Sequence, residues 1–430
     1  MKNAKLLALS AILATLPTAA ASLSYQDFRR EVESRDPSLR AQDADLRAFE
    51  AARDQSRGAL LPSLGVSAQY TRVSDVGDGS VTLPIPSHPV TIDLAPYIPN
   101  QWALVARVDQ TLWDGRSLSQ WQAARHDGKA ARAGLTKAQR DLRQRSLQAW
   151  CDLWSASREV TAADSGVAAL SEQRRILSLM VREGTALAND SLRAALLLRQ
   201  SELAQLTARL KLEGARERAG NLLGRALDTS VILTDSVPEM EIPARGEIAP
   251  EILQAQERVR STLWQQRAQA SAFLPILSTG AQLEDLRPNP RVVPSQDEAR
   301  YDWKIWVVAQ WSLFRGGSDW YGAHRAAALH EESELRLKAL EESKSLEAAN
   351  ARRALRLSQE RLTTAREVVR LSQEDRDLFQ KRADAGTALR SDLLDRISQL
   401  WKAQSECAQA QAAQTQAIAT LRLALGIDLP

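Results

Sequence analysis

The sequence predicts a mainly α-helical chain that carries two β-hairpins, with the whole plan stated twice. Three observations predict it. The first is an internal duplication: Leu61-Pro62 recurs as Leu274-Pro275, the Trp102 to Gly115 segment as Trp303 to Gly316, Gly184-Thr185-Ala186-Leu187 as Gly386-Thr387-Ala388-Leu389, and Leu223-Gly224 as Leu425-Gly426. A spacing near 200 residues is far too long for a solenoid, whose repeats run roughly 20 to 50 residues. The second is a change of hydrophobic period from 3.6 to 2 after each Leu-Pro pair, the mark of a strand. The third is a pair of helical tracts, 117–183 and 318–385, each approaching 70 residues with only isolated glycines inside.

Taken in order, residues 1–21 read as a secretory signal peptide. Lys2 and Lys5 precede an apolar run from Leu6 to Leu16, and Ala19-Ala20-Ala21 offers a small-residue cleavage site. No later stretch reaches the 18 apolar residues of a membrane-spanning helix, so any entry into lipid must be by strands. The first repeat is expected over 22–224, with helices at 24–60, 117–183 and 188–224 and strands at about 63–74 and 102–113. A linker with Pro238 and Pro243 is expected at 225–247. The second repeat, 248–430, is expected to hold helices at 248–273, 318–385 and 391–426 and strands at about 275–286 and 303–314.

The strands alternate cleanly. Leu64, Val66, Ala68 and Tyr70 share one face, and Trp102, Leu104, Ala106 and Val108 share another. Arg107, Asp109, Gln282 and Lys304 fall on the opposite, polar face. Tyr70, Trp102, Trp113, Tyr301, Trp303 and Phe314 stand at strand ends, the placement of an aromatic girdle at a lipid boundary. Alternation alone fits a soluble β-sandwich equally well. Pro- and Gly-rich loops are expected at 75–101 and 287–300.

Tracts of nearly 70 residues reach about 100 Å at 1.5 Å per residue. A helix of that length cannot bury itself in a globular domain, and its apolar spacing suits neighbouring helices, as in coiled coils. Four strands per chain leave sheet edges with unpaired backbone groups. In lipid each such group costs several kcal/mol, so one chain cannot make a barrel. Eight strands give a filled interior and twelve an aqueous lumen. The polar face favours twelve, hence three chains.

Composition excludes other classes. Lys plus Arg total 56 and Asp plus Glu 53, a balance that gives no support to nucleic-acid binding. His88, His126, His324 and His330 stand apart without ligand spacing. No metal, cofactor or catalytic residue is expected, and therefore no enzyme. Cys151 and Cys407 occupy unmatched places in the repeat, so no disulfide is expected between them.

Signal peptide, Leu-Pro hairpin, the Gln110 to Gly115 and Trp311 to Gly316 segments, long helix, Gly-Thr turn and Leu-Gly ending, all twice, make the chain resemble the TolC family of outer-membrane efflux proteins. The resemblance covers essentially the whole chain after the signal, although no long extension follows the second Leu-Gly as it does in some relatives. It implies a homotrimer: a twelve-stranded barrel in the outer membrane of a Gram-negative cell, continuous with a helical barrel in the periplasm. The implied partners are outer-membrane lipid, a periplasmic adaptor and an inner-membrane transporter of RND or ABC type, in drug or metal efflux or type I secretion. A periplasmic coiled-coil adaptor is the alternative reading. It accounts for the long helices but not for the strands.

The resemblance also assigns the turns. Gly184 and Gly386 mark the helix-turn tips, and Asp392 and Asp395, one helical turn apart, correspond to acidic residues that ring the periplasmic entrance. Such rings attract cations. Asp190 corresponds to a residue that helps hold the tip shut through a tyrosine and an arginine of the other repeat, but those positions here are Ala383 and Ala388. Arg390 or Arg382 is expected instead to pair with Asp190 or Glu183.

Overall fold

The computed structural model describes residues 22–74, 80–86, 88–93, 100–228, 232–234, 236–242, 246–287 and 301–429. The expected signal peptide and most of the 287–300 loop lie outside them. In chain order the elements are β1 (Ser22–Leu23), α1 (Tyr25–Arg35), α2 (Pro37–Gly58), β2 (Ser63–Arg72), β3 (Ser80–Leu83), β4 (Val90–Asp93), β5 (Asn100–Trp113), α3 (Gly115–Arg182), α4 (Ala188–Leu223), β6 (Ile232–Leu233), α5 (Pro250–Ala270), β7 (Ile276–Arg287), β8 (Tyr301–Gln310), α6 (Ser318–Asp384) and α7 (Arg390–Ala424). The chain divides into two compact units, one of residues 1–43, 134–251 and 340–430, the other of 44–133 and 252–339.

The second unit holds an antiparallel sheet of order β2-β5-β7-β8. Its central pair joins the two repeats, with Ala106 opposite Leu283 and Asp109 opposite Gly280. A register shift between Thr111 and Trp113 brings Trp113 opposite Leu277. Such a bulge places two residues against one and bends the strand that carries it. The polypeptide leaves β5 through Asp114, whose carboxylate accepts from the Arg116 backbone N–H at 2.9 Å and from the Ser117 hydroxyl, capping α3.

The first unit is helical. Its largest core packs Trp150 (fully buried) against Tyr25 and Phe28, with ring centroids 5.9 and 5.8 Å away. Leu142, Leu147, Leu223 and Leu429 complete it. Burial pushes the Cys151 thiol in this core up to about 12, and both cysteines are free.

The structure differs from the sequence reading in four places. The helix expected over 24–60 breaks at Asp36, whose carboxylate accepts from the Leu39 N–H at 2.9 Å while Pro37 starts α2. Proline is well placed at a first helical position, where its missing N–H costs nothing. The expected strand over 303–314 ends at Gln310, so Phe314 lies beyond it. The 225–247 segment is not a plain linker, because Ile232 and Leu233 pair in parallel with Ser22 and Leu23. The 75–101 loop carries its own hairpin, β3 against β4.

Candidate functional site at the helix turns and the sheet face

The two turns are built alike. After α3, Gly184 takes φ 74°, the Thr185 N–H donates to the Met180 carbonyl at 2.9 Å, and the Gly184 N–H to that of Val181 at 3.1 Å. After α6, Gly386 takes φ 73°, Thr387 donates to Arg382 at 2.9 Å and Gly386 to Ala383 at 3.2 Å. This is the Schellman closure, which needs a left-handed residue. A Cβ on either glycine would meet nothing within 4 Å, so conformation rather than space selects glycine.

Beneath the turns lies a small core of Leu170, Leu177, Leu198, Leu393, Leu394 and Ile397, with Ala383 at 6% exposure inside it. Asp190 and Asp392 stand in the first turns of α4 and α7. A carboxylate there is favoured by the helix dipole. One turn further on, the Arg193 guanidinium of α4 donates to the Asp395 carboxylate of α7, an ion pair between the two repeats. Arg390 does not reach Asp190. Its guanidinium donates to Asp384 at 3.1 Å and to the Gln173 side chain at 3.5 Å. Arg382 lies over the Phe379 ring at 5.9 Å, and among the described residues neither arginine pairs with Asp190 or Glu183. The cross-repeat bond falls instead to Arg193, a residue the sequence reading left out. Asp392 enters no ion pair among the described residues, and the two aspartates therefore differ: one compensated, one open.

On the sheet, cross-strand register places Tyr70 beside Trp102, ring centroids 4.8 Å apart, with the Tyr70 hydroxyl donating to Asn100 at 2.8 Å. Below them one face presents Leu64 (74% exposed), Val66, Leu104, Ile305 and Val307 to the surroundings. Trp113, Tyr301, Trp303 and Phe314 are also exposed. Among the described residues no second sheet covers this face. The other face is polar. Arg107 is held by Asp109 at 2.6 Å and lies 5.0 Å over the Trp306 ring, while Lys304 reaches Glu284 at 3.8 Å. Trp306 lies across Gly280, where a Cβ would come within 2.4 Å of the indole.

Three of the four histidines have local partners. His126 meets Glu257 at 2.6 Å and His330 meets Thr262 at 3.2 Å, while His324 packs on Trp320.

The sequence matches the family model described as outer membrane efflux protein over residues 29–225 and 247–427, one segment per repeat. No curated protein matches it. Among solved structures, the outer membrane protein VceC of Vibrio cholerae superposes with TM-score 0.77 at 16% identity, covering 94% of this chain and 97% of that one. The CmeC outer membrane channel of Campylobacter jejuni gives 0.73 at 16%, covering 94% and 85%. The open state of the MtrE outer membrane channel of Neisseria gonorrhoeae gives 0.69 at 17%, covering 94% and 89%.

Proposed function

Because the chain belongs to the outer membrane efflux protein family, whose model spans both repeats, we propose that it is the passive exit duct of a tripartite efflux pump or type I secretion system. It is an outer-membrane channel protein of mainly helical, duplicated fold. The observation that carries the finer reading is the open sheet. β2 and β8 are each paired on one side only among the described residues, and the sheet's apolar face is exposed.

Edges in lipid must be paired, because an unsatisfied backbone group there costs several kcal/mol. Three protomers give twelve strands and an open lumen, the polar face with Arg107, Asp109 and Lys304 turned inward. The β2 edge of one copy then meets the β8 edge of the next, a head-to-tail contact that closes a ring. The apolar face meets lipid, with the exposed tyrosines and tryptophans at its borders.

The helical unit carries cargo on the periplasmic side and ends at the Gly184 and Gly386 turns, where a periplasmic adaptor and an inner-membrane transporter of RND or ABC type engage it. No bond is made or broken in the duct. Opening is driven by those partners acting on the turns, and Asp392 gives the entrance its cation preference. A free-standing periplasmic adaptor has no use for an exposed apolar sheet, which disfavours that alternative.

The test is reconstitution. Purified protein added to a planar lipid bilayer is expected to give discrete, cation-preferring channels of low closed-state conductance. Protein that never conducts, while remaining fully folded by circular dichroism, overturns the reading.

A further inference from the structure

The helical unit leaves two complementary surfaces uncovered. Along α4, Leu203, Leu206 and Leu210 are 66%, 55% and 60% exposed and form a ridge. Between α6 and α7 runs a groove walled by Leu357 and Val368, themselves half exposed, and floored by Ala403, Ala410, Ala413 and Ala417. Resting on the trimeric reading above, we infer that the leucine ridge of one protomer seats in the α6–α7 groove of its neighbour, making this the helical seam of the ring.

Ridge and groove stand at the same height along the helices. The two turns stand level, because Arg193 and Asp395, which pair, each lie nine residues past their turn glycine. Glu159 bears this out further up: it accepts from Lys211 at 2.8 Å and from Gln409 at 3.3 Å, residues 27 and 23 past Gly184 and Gly386. Rotation about an axis along the helices keeps every residue at its own height, so true partners across the seam must be level. The ridge leucines lie 19, 22 and 26 residues past Gly184, and the groove alanines 17, 24, 27 and 31 past Gly386. The two overlap.

Size and charge agree with height. Large side chains over small ones let helices approach and interdigitate, the ridge-into-groove rule. Glu360 lines the groove and makes no ion pair among the described residues. It stands 26 residues before Gly386, level with Arg209 on the ridge helix, 25 past Gly184. The Arg209 guanidinium donates to Asp164 of its own protomer at 3.0 Å and has further N–H groups to offer across the seam. The direction also fits: the sheet order puts repeat 1 at one edge and repeat 2 at the other. A ring closed through these sheets joins repeat 1 of each copy to repeat 2 of the next, the same pairing of repeats that the helical seam uses.

The experiment is disulfide trapping in the full chain, with Cys407→Ser removing the partly exposed native thiol. Leu210→Cys with Ala413→Cys, one residue apart in height, is expected to yield covalent dimers and trimers on mild oxidation. Leu210→Cys with Ala403→Cys, nine residues apart, is expected to yield none, because about 14 Å of rise exceeds the roughly 7 Å Cα separation a disulfide spans. Mass measurement in detergent is run on the same samples. Intact trimers without the level cross-link, or with both cross-links equally, overturn the seam alone. Monomers in every sample overturn the trimer on which it rests.

Discussion

Arg193 and Asp395 stand at the same step of the two repeats, nine residues past Gly184 and Gly386, and bond to each other across the duplication. The repeat carries a cation in one copy and an anion in the other, so the pseudo-symmetry itself brings opposite charges together. An exposed pair of this kind contributes about 0 to 1 kcal/mol. In the proposed trimer, three copies at one constriction give up to about 3 kcal/mol, or roughly 150-fold in an opening equilibrium. Asp395→Ala or Arg193→Ala is expected to raise closed-state conductance in planar bilayers. The exchanged pair, Arg193→Asp with Asp395→Arg, is expected to restore it. Single variants that conduct like the parent count against the clasp.

The two entrance carboxylates are predicted to differ in weight. Asp395 is compensated by Arg193, whereas Asp392 is not. Asp392→Asn should therefore lower the preference for K+ over Cl− more than Asp395→Asn does. Reversal potentials across a KCl gradient measure it, and equal shifts from the two variants contradict the assignment.

Two glycines are predicted to resist alanine for different reasons. At Gly386 the positive φ strains any L side chain, at a cost of roughly 1 to 2 kcal/mol. At Gly166, inside α3, a Cβ would come within 2.6 Å of the Trp401 indole, and overpacking of that kind costs roughly 1 to 3 kcal/mol. Reducing Trp401 to leucine should relieve Gly166→Ala and leave Gly386→Ala unchanged in thermal unfolding.

These cases separate what the sequence made legible from what it hid. Strands and long helices were readable because their periods run over ten residues or more, and the turn glycines because both repeats carry them. The β1–β6 and β3–β4 pairings were not, since segments of two to four residues hold no period. The break at Asp36 did leave a signal, a capping aspartate followed by a proline, but the helical composition on both sides of it outweighed that signal. The Arg193–Asp395 bond left a trace, the spacing of 202 shared with the turn glycines, but reading it required knowing that the turns stand level. Arg390 bonds to Asp384, six residues before it, and reaches Gln173 of the other repeat, contacts that no period or repeated spacing announces.

Acid sensitivity is expected where α1 meets the end of α4. The Arg225 guanidinium donates to Glu31 at 3.0 and 3.1 Å and holds its carboxyl below the usual value of 4.5. A carboxyl lowered in the folded state contributes its stability in full above that value and loses it as pH falls through the lower, folded one. Glu31→Gln should thus lower the melting temperature at pH 7 and make little difference well below pH 4.5. A Glu31→Gln deficit that persists undiminished in acid contradicts the ion pair as its source.

Thiol chemistry is expected to be lopsided. With Cys151 buried and its thiol raised to about 12, almost no thiolate exists at pH 8. Cys407 is partly exposed and less shielded. Iodoacetamide at pH 8 should label Cys407 alone in the native protein and both cysteines after denaturation, as read by peptide mass.

In the proposed trimer the four-stranded sheet, with its two open edges and exposed apolar face, is completed by its siblings. The most direct measurement is the mass of the protein released from detergent micelles by native mass spectrometry. Three chains per particle, collapsing to one on boiling, is the predicted result. A stable single chain that keeps its β-structure without detergent contradicts the account.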